Sequence, residues 1–237
     1  MEQPPEQCYN FKIKTPNAIA IIGSSNTGKS TILKRIFEQW HYVMSEDSLP
    51  IGKICLLYKY PQELYDDIIK SVENHFPNAE IEAHQGFPVS RLEESDFFSA
   101  PSGTQNVIIC DDNYSACNCP LFAEWLTGKL HHTNSTLFFI AQDSSSLPKF
   151  IKEGLRSCQY FIITRASQSG VLLSDLNRKT HMYQPRFLYY AYQWILANNQ
   201  GPNWPYMVLD LSNQATESSC VRTGIFKDDV GVILRPA

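Results

Sequence analysis

The sequence predicts an α/β fold, a mostly parallel sheet flanked by helices and closed by antiparallel strands towards its C-terminal end. Three observations predict it. Short apolar runs with the length of buried strands alternate with segments whose apolar residues recur every three or four positions, as in strands covered by helices on both faces. The first such run, Ala18 to Ile22, passes through Gly23-Ser24-Ser25-Asn26-Thr27-Gly28-Lys29-Ser30-Thr31 into a helical pattern. The last two runs, Tyr206 to Leu211 and Val221 to Phe226, follow one another without a helical segment between them, which suits antiparallel strands.

The stretch from Gly23 to Thr31 has the G-x-x-x-x-G-K-[ST] spacing of a P-loop, in the strand-then-helix setting that motif requires. Glycines let the chain curl so that backbone N–H groups point inward at a phosphate, and the helix that follows adds its positive N-terminal end. Gly23, Ser24, Ser25, Asn26, Thr27, Gly28, Lys29, Ser30 and Thr31 are therefore the expected nucleotide-binding residues. Lys29 is placed to reach the β- and γ-phosphates of ATP, and the Ser30 hydroxyl to join the shell of Mg²⁺.

Along the chain, residues 1–15 with Pro4 and Pro5 read as a short leader, with an edge strand possible over Phe11 to Lys14 before the Pro16 turn. A helix is expected from Lys29 to Tyr42, burying Ile32, Leu33, Ile36 and Phe37. Lys53 to Tyr58 reads as a strand, Pro61 to Phe76 as an amphipathic helix, Asn78 to His84 as a short strand and Ser90 to Phe98 as a helix. Further helices are expected over Pro120 to Leu130, Leu147 to Leu155, Ser169 to Lys179 and Pro185 to Asn198, with buried strands over Ser135 to Ala141 and Cys158 to Thr164. The aromatic residues of 187–194 read as core. Residues 16–226 form one domain in this reading, and 227–237 a tail.

Asn106 to Asp112 is a buried strand that ends in two acids. An acid at the end of a strand beside a P-loop holds the Mg²⁺ shell, and one next to it can polarise the attacking water. Asp111 takes the first role and Asp112 the second; the bland alternative is that Asp112-Asn113 opens a turn and caps a helix. Gln142 follows the buried strand 135–141 and so faces the crevice at the carboxyl ends of the strands, where it is a candidate sensor of the γ-phosphate or of water. His131 and His132 precede that strand and lie at its opposite end.

With 237 residues and 43% apolar content, the chain has ample material for one large core. It shows no signal-peptide pattern and no apolar run long enough to span a membrane, so a soluble intracellular protein is expected. The seven cysteines, an odd number without a secretory signal, read as reduced thiols. Cys117-Asn118-Cys119 lacks the spacing of a zinc pair. A net charge of −4 argues against coating nucleic acid by bulk electrostatics, so any DNA contact must come from a local basic patch.

The order of these motifs resembles that of the poxvirus-type genome-packaging ATPases of the FtsK/HerA superfamily, and most closely the short forms carried by Polinton-like elements and related viruses. The resemblance covers roughly residues 16–226. It rests on Gly23 to Thr31, Tyr58-Lys59-Tyr60-Pro61-Gln62, Val107 to Asp112, the His131-His132-Thr133-Asn134 turn with its following strand and Gln142, and the closing segments at Leu209 and Val221 to Phe226. Two features depart from it: Thr164-Arg165-Ala166-Ser167-Gln168 stands where relatives tend to carry a Lys-Asn-Pro-Arg-Asp-like loop, and Asp112 replaces a glutamate common in the wider superfamily. The resemblance implies a RecA/FtsK-like P-loop NTPase. It further implies a homo-oligomeric ring of subunits that hydrolyses ATP at subunit interfaces, threads double-stranded DNA into a capsid, and has a capsid or portal-vertex protein as a possible partner, with no membrane.

Charge spreading over the γ-phosphoryl oxygens calls for a further cation, which a neighbouring subunit commonly supplies as an arginine. Arg165, after a buried strand at an expected sheet edge, is the leading candidate and Arg222 the second. The alternative function is a P-loop small-molecule or nucleoside kinase, or a nucleotide-dependent switch. Against these, the chain has no Asn-Lys-x-Asp guanine reader, and Arg178-Lys179 is a slight basic cluster where a kinase would carry an Arg-rich lid helix.

Overall fold

The computed structural model describes residues 6–7, 11–86, 97–113, 117–142, 147, 149–155, 157–167, 169–180, 186–198, 204–213, 215–216 and 219–236. In chain order these form β1 (Glu6–Gln7), β2 (Ala18–Ile22), α1 (Lys29–Glu38), α2 (Trp40–Val43), β3 (Ile51–Tyr58), α3 (Glu63–His75), β4 (Glu80–Gln85) and β5 (Gln105–Asp111). Then follow α4 (Pro120–Glu124), a π turn (Trp125–Lys129), β6 (Ser135–Ala141), α5 (Lys149–Leu155), β7 (Tyr160–Ile163), α6 (Ser169–Thr180), α7 (Phe187–Asn198), β8 (Met207–Asp210), β9 (Val221–Thr223) and β10 (Val232–Leu234).

Every residue of β2, β5, β6 and β7 is buried, which is why these strands read as unbroken apolar runs rather than alternating ones. Alternate side chains serve two cores. Ala18, Ala20 and Ile22 of β2 face the layer formed by α4, α6 and α7, with Phe122, Trp125, Leu173 and Leu188. Ile19 and Ile21 face α1, α2 and α3, with Leu33, Ile36, Phe37, Trp40, Ile68 and Val72. Each such fully buried side chain contributes about 1.5–3 kcal/mol relative to exposure.

The ten strands form one sheet in the order β1-β10-β9-β8-β7-β2-β6-β5-β3-β4. The segment from β7 to β4 is parallel throughout, while β8, β9, β10 and β1 pair antiparallel beyond β7. β2 lies between β6 and β7, although both come later in the chain. The loop leaving β2 therefore opens at a point where connections run to opposite sides, the place where open α/β sheets hold their ligands.

Several expectations change at their edges. Among the described residues the stretch 11–14 makes a single bridge, Ile13 to Met44, and the first helix breaks at Gln39 into α1 and α2. The helix expected over 120–130 widens after Glu124 into a π turn, closed by the Leu130 N–H donating to the Trp125 carbonyl at 2.9 Å. Trp125 stacks on Phe98 there, with centroids 4.3 Å apart; a one-residue widening leaves apolar periodicity almost unchanged, so the sequence does not reveal it. The helix expected over 90–98 falls outside the described residues apart from Phe97 and Phe98, which form a turn.

The segments read as leader and tail each carry a strand, with Glu6 opposite Ile233 and Gln7 opposite Val232. The loop after β9 is also tied to α1. Arg35 pairs with Asp228 and with Asp229, the latter at 3.6 Å, and lies 3.9 Å over the ring of Phe226. The Tyr206 hydroxyl donates to Asp229 and accepts from the Ile225 N–H at 2.8 Å.

Cys55, Cys110, Cys117, Cys119, Cys158 and Cys220 are reduced thiols, and burial pushes the Cys117 thiol well above its usual range. No helix among the described residues is long and apolar enough to cross a membrane.

Candidate nucleotide-binding site

β2 ends at Ile22, and the chain turns at once because Gly23 lies against β7. A Cβ on Gly23 would fall 1.8 Å from Oγ1 of Thr164, so only glycine fits. Thr27 Oγ1 bonds Thr164 Oγ1 at 2.7 Å and donates to the Ser24 carbonyl at 2.7 Å. Asn26 and Gly28 both adopt left-handed backbone, with φ 58° and 89°, and Gly28 is the N-cap of α1. The first turn of α1 contains no acid and no side-chain cap; its positive end and its N–H groups at Ser30 and Thr31 suit an anion.

Loop and β7 exit are stitched together. The Ser24 N–H donates to the Arg165 carbonyl at 2.8 Å, and the Ser167 N–H donates to Ser24 Oγ at 2.9 Å. Tyr192 of α7 holds the outer side of this exit, donating to the Thr164 carbonyl and accepting from the Ala166 N–H, both at 2.9 Å. The 187–194 aromatics thus divide: Phe187 and Tyr192 are core, while Tyr189, Tyr190 and Trp194 are exposed.

Lys29 is 8% exposed and folds back to donate to the Ser24 carbonyl at 2.9 Å. Burial lowers its pKa, while Asp112 and Asp111 hold it up, so the ammonium sits over the loop with both acids near enough to be felt. Asp111, 4% exposed, ends β5. Burial pushes its carboxyl up to about 6, with Tyr65 and Lys29 pulling it down and Asp112 pushing it further up. The Tyr65 hydroxyl of α3 donates to Asp111 Oδ2 at 3.0 Å, and burial together with that carboxylate raises the phenol so far that it stays a donor. Sequence periodicity places Tyr65 only on a buried helix face; nothing in the pattern marks it as the acid's partner.

Asp112 stands one residue past β5 with φ 49°. That left-handed turn sends its side chain out of the sheet towards the loop after β6. There the Gln142 amide donates from Nε2 to Asp112 Oδ2 at 2.7 Å, and its Oε1 accepts from the Ser25 hydroxyl at 3.1 Å. P-loop, second acid and glutamine form one hydrogen-bonded chain. The carboxylate of Asp111 and the hydroxyl of Ser30 are hard oxygen donors of the kind Mg²⁺ takes, so the residues present fit that ion.

Arg165 is exposed, and its own backbone touches the P-loop of its own chain. The sheet edge expected there is absent, because β8 pairs with β7 and carries β9, β10 and β1 beyond it. Arg222 is 7% exposed, lies 4.0 Å over the ring of Phe11 and donates to the Ser219 carbonyl, so its guanidinium is part of the packing around β9. His131 and His132 are exposed in the turn before β6, at the end of the strand away from Gln142.

No family model matches the chain, and no curated protein matches it. Among solved structures, the genome-packaging NTPase B204 from Sulfolobus turreted icosahedral virus 2 is similar. Its complex with ATP-gammaS is 14% identical with a TM-score of 0.51, over 89% of this chain and 98% of that one. Its complex with AMPPCP is 14% identical with a TM-score of 0.50, over 93% of this chain and 98% of that one. At that identity the likeness is one of fold, and the architecture here, an α/β fold with a mostly parallel sheet and C-terminal antiparallel strands, is that of the P-loop ATPases.

Proposed function

We propose that the chain is an ATP hydrolase whose turnover drives double-stranded DNA, and that it serves to package the genome of a virus or virus-like element into a capsid. The observation that carries the hydrolase reading is the Ser25–Gln142–Asp112 chain, which links the phosphate loop to a carboxylate through the group best placed to report on a γ-phosphate. The packaging reading is supported by the likeness of fold to a viral genome-packaging NTPase over nearly the whole of both chains. The motif order at 23–31, 107–112 and 130–142 favours the poxvirus-type and Polinton-like lineage.

In this reading the loop 23–31 cradles the β-phosphate with its backbone N–H groups, and Lys29 leaves the Ser24 carbonyl to meet the β- and γ-oxygens. Ser30 and Asp111 would hold Mg²⁺, which when bound would neutralise charge on the phosphate oxygens. Asp112 accepts hydrogen bonds from the attacking water and orients it, and Gln142 positions Asp112. Arg165 of one protomer reaches the site of the next within a homo-oligomeric ring, and residues 16–226 act as one ATPase domain.

The test is phosphate release by purified protein with and without double-stranded DNA, beside its mass with ATP bound and the Lys29→Ala variant as control. Hydrolysis that DNA stimulates in an oligomer, and that Lys29→Ala abolishes, is the expected result. Hydrolysis indifferent to DNA, or transfer of the γ-phosphoryl to a small acceptor in place of release to water, would overturn the packaging reading and favour a kinase.

A further inference from the structure

We infer that Trp204 is the stacking platform for the base of the bound nucleotide. This rests on the P-loop reading of the site. Trp204 is a large aromatic side chain left 50% exposed, yet it is held against the phosphate loop. A Cβ built on Gly28 would fall 2.3 Å from Cγ, 2.4 Å from Cδ1 and 2.7 Å from Cβ of Trp204. The indole therefore lies against the Cα of the N-cap glycine of α1, with part of its surface open to solvent.

The sheet fixes which end of a nucleotide this surface meets. Asp111, Asp112 and Gln142 come from β5 and β6, on one side of β2. A triphosphate laid along the loop with its γ-phosphate at those groups directs its α-phosphate, ribose and base to the other side. That side is formed by the exit of β7, which is hydrogen-bonded to Ser24, and by the segment entering β8, which carries Trp204. An aromatic face at that place meets the base by geometry alone. Stacking makes use of the π-face that every base has, so Trp204 adds affinity while discriminating weakly between adenine and guanine. It also gives Gly28 a second reason to be glycine, since a side chain there would displace the indole.

Titration calorimetry with ATP and with inorganic tripolyphosphate, on the parent, Trp204→Ala, Trp204→Phe and Lys29→Ala proteins, tests this. In Trp204→Ala, ATP affinity is expected to fall about tenfold or more, with tripolyphosphate affinity unchanged. Trp204→Phe should stay within about threefold of the parent, because a smaller ring still stacks. The indole itself supplies a second readout. Trp40 and Trp125 are buried and Trp194 is exposed on α7; all three remain in Trp204→Phe, so the quench of Trp204 emission on adding ATP should be lost in that variant and absent from the parent with tripolyphosphate. ATP affinity unchanged in Trp204→Ala, or equal losses for ATP and tripolyphosphate, would sink the stacking role while leaving the P-loop reading intact. A parent protein that binds neither ligand would remove both.

Discussion

The amide of Gln142 donates to the carboxylate of Asp112 at 2.7 Å, so the two residues present themselves to the site as one unit. Removing the glutamine takes away that hydrogen bond and disconnects the carboxylate from Ser25. Gln142→Ala is expected to lower ATP hydrolysis by about 10²-fold with little change in ATP affinity. Steady-state kinetics beside equilibrium binding would check it; a loss confined to affinity would assign Gln142 to ground-state binding instead.

Asp111 yields a pH prediction for the protein free of metal and nucleotide. Its carboxyl is raised from 3.8 to about 6, so between those values the folded chain keeps a proton the unfolded chain has released. The stability this contributes is complete below about 3.8 and is lost as pH rises through about 6. Asp111→Asn, which never ionises, should therefore be more stable than the parent at pH 7.5, by on the order of 1–3 kcal/mol. The difference should close as the pH approaches 4, and thermal melts across that range would measure it. An Asn variant less stable at neutral pH would mean that the Tyr65 hydrogen bond outweighs the cost of burial.

Arg165 should act across a subunit interface. Lys29→Ala subunits keep their arginines and Arg165→Ala subunits keep their P-loops, so mixing two nearly inactive proteins should restore part of the hydrolysis. An arginine in trans is worth on the order of 10³ or more in rate, which makes even a small recovery visible. Two observations would count against it: no recovery on mixing, or full activity in a dilute monomer.

Arg35 joins α1 to the loop after β9 through Asp228, Asp229 and the ring of Phe226. Its side chain and that of Asp229 are largely buried, so Arg35→Ala leaves a carboxylate without its cation and should cost about 2–4 kcal/mol. A lower urea midpoint at constant slope is the expected reading. Arg35→Lys should recover only part of it, because an ammonium cannot stack on Phe226 as a guanidinium does.

Sequence and structure agree most closely where one period governs a whole element. β2, β5 and β6 are buried on both faces, so their apolar runs mark them almost to the residue, and the residues of 23–31 are constrained by a backbone shape that few sequences satisfy. The positions of Asp111, Asp112 and Gln142 at or just past the ends of buried strands are legible for a related reason, since polar side chains are otherwise scarce there; the roles proposed for them rest on the experiments above. The partners of these groups are not legible. Tyr65 reads as one more apolar position of an amphipathic helix, and Trp204 as a loop aromatic. What gives each its place is a neighbour far away in the chain, Asp111 for the one and Gly28 for the other. The strand at 232–234 escapes the sequence because three residues carry too short a pattern, and the edge at which the sequence places Arg165 is covered by β8.

The left-handed backbone of Asp112, φ 49°, sets fold and chemistry at odds at one position. Aspartate tolerates that conformation at a cost on the order of 1 kcal/mol, and glycine has none to overcome. Asp112→Gly therefore trades relieved strain against the lost bond to Gln142 and a freer unfolded chain, with a net change in stability close to zero. Expression level, solubility and melting temperature would all pass this variant as healthy, while hydrolysis would be gone. A screen that selects for robust protein is blind to the carboxylate proposed to orient the attacking water, so any library covering the loop after β5 has to be sorted by phosphate release.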